Sequence, residues 1–67
     1  MMETLGDALP KEIQRVQELI VIYDTIPTGI FAATMMRHSI SKAVDALAQG
    51  DVAAMILSYK DLQGYTG

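Results

Sequence analysis

The chain has 67 residues, of which 51% are apolar and 19% charged, with a net charge of −3 and no cysteine or tryptophan. That length holds one small domain at most, and the apolar fraction excludes simple disorder. The absence of cysteine excludes a disulfide framework or a thiolate zinc site, and the acidic balance excludes bulk DNA or RNA binding, which needs a basic face.

Met1 to Leu9 reads as a short lead, too acidic and too weakly apolar for a signal peptide. Pro10 sits where a first helical turn tolerates proline, with Asp7 or Leu9 near the cap. From Lys11 the pattern is helical: Ile13, Val16, Leu19, Ile20, Tyr23 and Ile26 share one stripe. The spacing predicts a first helix over 10–24.

Ile26-Pro27-Thr28-Gly29 is the break, because the residue before proline is pushed towards extended backbone. The Thr28 hydroxyl then caps a second helix over 29–48, with Ala33, Met36, Ile40, Ala43, Val44 and Leu47 inward. Gly50 closes it and Asp51 caps the third, over 51–62, with Val52, Met55, Ile56, Tyr59 and Leu62 on one face. The residues from Gly64 to Gly67 are expected to fray. No segment alternates like a strand. The fold class expected is all-α, one helical domain over 1–67 forming a compact three-helix bundle.

A domain of about 60 residues buries only about 60% of the surface its unfolded chain exposes. Small domains therefore lean on disulfides, a metal or a partner subunit. With no cysteine and a single histidine, His38, the bundle is expected to be completed by oligomerisation. Apolar residues lie outside the core stripes of all three helices: Val21 and Ile22, then Phe31 and Met35, then Leu57. A contiguous patch of this kind marks an interface, here that of a homo-oligomer.

Leu19 to Met36 holds one charge in 18 residues, Asp24, but Pro27 and Gly29 interrupt it, so no membrane span is expected and the cytoplasm is the default location. His38, Ser41 and Asp45 form a triad only as a list, since a helix surface lacks an oxyanion hole. His38 has no second metal ligand at useful spacing. The Gly50-Asp51 turn before Ala54, Tyr59 and Leu62 resembles half of a tetratricopeptide unit, but one unit makes no solenoid. No enzyme activity and no cofactor are expected.

One window is locally basic. All 8 acidic residues lie outside the segment between Asp24 and Asp45, which holds Arg37, His38 and Lys42. A helix start offers free N–H groups to an anion. Thr28, Gly29, Arg37, His38 and Lys42 are therefore the candidate holders of a phosphate-bearing ligand. The alternative is a plain capped turn with solvated basic residues.

The stretch from Leu9 to Tyr65 resembles small helical proteins carried by proteobacterial phages and prophages. The resemblance rests on Leu9-Pro10-Lys11-Glu12-Ile13, on Pro27-Thr28-Gly29 with Ala32-Ala33-Thr34-Met35-Met36-Arg37, and on Gly50-Asp51-Val52 with Ala54-Met55 and Tyr59. It implies a phage accessory protein in the host cytoplasm. Such a protein acts by binding, either blocking a host protein or sequestering a host immune signal such as a cyclic nucleotide. The competing expectation is a structural or assembly component whose helical oligomer is itself the function.

Overall fold

A computed structural model describes residues 3–66. Helices α1 (Leu5–Asp24), α2 (Ile30–Gln49) and α3 (Val52–Gln63) follow in order, with a 3-10 turn, Pro27–Gly29, between the first two. No strand occurs among the described residues, and each helix packs on both others, so the architecture is a three-helix bundle.

The first helix begins at Leu5, not at Pro10. Thr4 caps it: its Oγ1 accepts from the Asp7 N–H at 3.3 Å and donates to Asp7 Oδ2 at 2.8 Å. The Thr4 hydroxyl thus satisfies one free N–H of the first turn and is itself held by the Asp7 carboxylate, which also faces the positive end of the helix dipole. Pro10 then lies inside the helix. Its missing N–H would have met the Gly6 carbonyl, which faces water, so little is lost there. The extra turns bring Leu9 into the core with no exposed surface. On the same turns Lys11 pairs with Glu3, and that hydrogen bond holds the Lys11 ammonium above its ordinary pKa.

The second junction follows the sequence closely. Gly50 adopts φ 66°, the left-handed conformation that glycine enters at no steric cost. Its N–H bonds the Leu47 carbonyl, and the Asp51 N–H bonds that of Ala46, which makes a Schellman turn. Asp51 Oδ1 accepts from the Ala54 N–H at 3.2 Å and starts α3.

The core is narrower than the stripes imply. Leu9, Ile13, Val16, Ile20, Ala33, Met36, Ala43, Ala46, Met55 and Leu62 are buried, together with Ser39 and Ser58. Ile26, Val44, Val52 and Ile56, expected inside, are exposed. Ile26 lies in the turn beyond α1, and Val44 and Ile56 are each turned about 100° from a buried neighbour, Ala43 and Met55.

Candidate functional site

The tight turn after α1 shapes the most apolar part of the surface. Thr25 closes α1 by donating its hydroxyl to the Ile22 carbonyl at 2.6 Å, and the Ile26 N–H reaches the Tyr23 carbonyl at 3.1 Å. Gly29 then passes against the backbone of Tyr23, so closely that a Cβ would lie 2.6 Å from that carbonyl oxygen. Backbone, not a flexible side chain, occupies the space, so Gly29→Ala has to open the turn. The expected cost is about 1–3 kcal/mol, the usual range for overpacking, read as a lower urea midpoint. An unchanged midpoint would contradict the close approach.

With the turn drawn in against α1, its apolar side chains point outwards. Val21, Ile22, Ile26, Ile30, Phe31 and Met35 are 44–77% exposed, and Phe31 is the most open of them. The third helix does not reach them. It has 12 residues against 20 in α2, about 18 Å against 30 Å at the rise of an α-helix. Ser39 Oγ lies 2.9 Å from the Tyr65 hydroxyl, which places the residues after α3 beside the middle of α2. Met35 and Ala32 lie one and two turns before Ser39 on that same side of α2, with Phe31 adjoining them. On α1, Arg15 reaches the end of α3, and Ile22 lies two turns further on along the same side. The α1–α2 hairpin therefore projects beyond α3 with an uncovered apolar end.

This end is electrically neutral. Asp24 is its one charged residue, and it pairs with Arg37 across the hairpin. The Tyr23 hydroxyl donates to the Thr66 carbonyl at 2.7 Å. Apart from the Asp24–Arg37 ion pair, the end carries no charged side chain, and its exposed polar groups are the Thr25, Thr28 and Thr34 hydroxyls.

Of the five expected interface residues, Ile22, Phe31 and Met35 meet at this end. Val21 belongs to the same end but lies on a different side of α1. Leu57 is elsewhere: 69% exposed, it lines a cleft of about 410 Å³ between α2 and α3. Lys42, Asp45, Ala46 and Gln49 form one wall, and Ala54, Leu57, Ser58 and Asp61 the other.

The five residues considered for an anion are spread out. Thr28 makes no capping hydrogen bond, contrary to the expected cap, because the 3-10 turn runs directly into α2. The Gly29 N–H is used by the Ile26 carbonyl at 2.8 Å. Arg37 is held by Asp24. His38 stands about 100° further round the helix, and Lys42, one turn after His38, lines the separate cleft. His38, Ser41 and Asp45 are all exposed on α2, and no hydrogen bond joins them among the described residues. No group of acidic or histidine residues among the described residues is arranged to hold a metal ion, and no helix is long and apolar enough to cross a membrane.

The sequence reading missed the anchoring of the segment after α3. Arg15 donates to the Leu62 and Tyr65 carbonyls, each at 2.8 Å, and Glu12 orients the guanidinium at 2.8 and 3.0 Å. With the Ser39 and Tyr23 contacts, this fixes Gly64 to Thr66, which had been expected to fray; Gly67 lies outside the described residues. Arg15 sits at the edge of the α1 stripe with Glu12 one turn earlier, which was the one available signal. Comparison with protein-family models, curated proteins and solved structures finds no match to this chain.

Proposed function

We propose that this chain is a non-enzymatic, self-associating helical module that acts by binding another protein. Self-association is carried by the uncovered hairpin end, where six large apolar side chains are 44–77% exposed. Monomeric proteins rarely expose contiguous apolar patches larger than a few hundred Å². With the phage-protein resemblance, the bound protein would be one of the host, and the module would act by covering its surface.

The reading of a phosphate-bearing ligand has less behind it. Its strongest cation, Arg37, is already paired, and its turn amide is already bonded.

Thermal unfolding across a hundredfold concentration range tests self-association. Mass action ties apparent stability to concentration, so dilution should remove on the order of 1–2 kcal/mol per chain. At roughly 4–8 °C per kcal/mol for a chain of this size, the midpoint falls by several degrees. A midpoint independent of concentration would count against the proposal. A panel of nucleotides and cyclic nucleotides is expected to leave the midpoint unmoved, and a clear upward shift would favour the phosphate-ligand reading instead.

A further inference from the structure

We infer that two copies of this chain pair through their hairpin ends, about a two-fold axis, so that the α1–α2 layer of one covers that of the other. The inference rests on the self-association proposed above and names the face responsible.

Three observations select a second copy as the occupant. The first is charge. Between Leu19 and Met36 the only ionisable group that would carry charge near neutral pH is Asp24, and Arg37 of the same chain neutralises it. In a two-fold interface every surface meets its own likeness, so an unpaired charge near the axis would face itself. This end carries none. By contrast, the α2–α3 cleft presents Lys42, Asp45 and Asp61, and none of them has an ion-pair partner among the described residues.

The second is area. Ile22, Phe31 and Met35, on one side of the hairpin, leave on the order of 350 Å² of apolar surface open, judged from their fractional exposure and the usual size of such side chains. With Ile26 and the exposed rim of Thr25 and Thr28, this matches a small, concentration-dependent interface, which takes under about 600 Å² from each partner.

The third is shape. The molecule measures 38 × 24 × 16 Å, and α3 covers only part of the length of the hairpin. Beyond the end of α3 the bundle is two helices thick in outline and lacks the layer that a second hairpin would provide. Four helices packed in this way enclose a core that two cannot.

Light scattering on four chains tests the inference, with circular dichroism to confirm that each variant stays helical. The unaltered chain should have twice the 7.3 kDa monomer mass at high micromolar concentration. Phe31→Asp should reduce it to the monomer mass, and Ile22→Asp, which serves in its place if Phe31→Asp proves poorly folded, should do the same. Leu57→Asp should leave the dimer intact. In a mixed sample, a nitroxide on Thr34→Cys of one copy should broaden the Ile22, Ile30 and Phe31 amides of an isotope-labelled second copy. The chain has no native cysteine to interfere. A dimer broken by Leu57→Asp and kept by Phe31→Asp would overturn the assigned face while leaving self-association standing. An unaltered chain that stays monomeric would overturn both, and monomers that float with zwitterionic lipid vesicles would assign the hairpin end to a lipid surface.

Discussion

Met36→Ala is expected to lower unfolding stability by about 2–5 kcal/mol, the range for removing a long apolar side chain from a closed core. Met36 is 1% exposed in the first half of α2 and belongs to the buried core cluster. A chain of this length has about 3–10 kcal/mol in total, so the substitution should leave much of the population unfolded at 37 °C. Urea titration followed by circular dichroism reads the loss. Met35→Ala is the control. Its side chain is half exposed at the hairpin end, so its cost to folding should stay within about 0.5 kcal/mol. Equal losses at the two adjacent methionines would contradict the placement of the core.

Arg15→Met is expected to cost about 2–3 kcal/mol, although methionine keeps most of the apolar stem. Hydrogen bonds to a charged group contribute roughly 1.5–3 kcal/mol each, and solvent screening of this partly exposed guanidinium reduces the total. The guanidinium joins the Leu62 carbonyl of α3 and the Tyr65 carbonyl after it to α1, where a cation also meets the negative end of the helix dipole. Arg15→Lys should recover only part of the loss, since an ammonium cannot span two carbonyls and Glu12 in the same planar geometry. Amide exchange separates this local effect from a global one. The Tyr65 N–H, bonded to Leu62, should exchange faster in the variant before the core amides do. Stability unchanged within about 0.5 kcal/mol would show that the guanidinium contributes nothing there.

The three helices, the Pro27 break and the Gly50-Asp51 junction were legible in the sequence because each depends on neighbouring residues. Asp51 caps through an amide three residues away, and Gly50 supplies the one left-handed φ. The start of α1 is also locally encoded, in Thr4 and Asp7, but Pro10 offers a second plausible start five residues later. Periodicity identified the inward face of each helix but not its width, which is why Val44, Val52 and Ile56, at the edges of the stripes, remain outside. The Asp24–Arg37 pair and the three contacts of Arg15, Ser39 and Tyr23 depend on which helix lies beside which, information absent from any single stripe. Leu57 parted from the other interface residues for the same reason: its exposure was legible, but its distance from Phe31 follows from the short length of α3 and its packing on α2.

Sedimentation equilibrium of the unaltered chain, from low to high micromolar concentration, tests most directly whether the uncovered hairpin end is a binding surface for a second copy. The predicted result is a mass that rises from 7.3 kDa to twice that value and then stays there, as closed two-fold pairing requires. A mass fixed at 7.3 kDa over the whole range would contradict it.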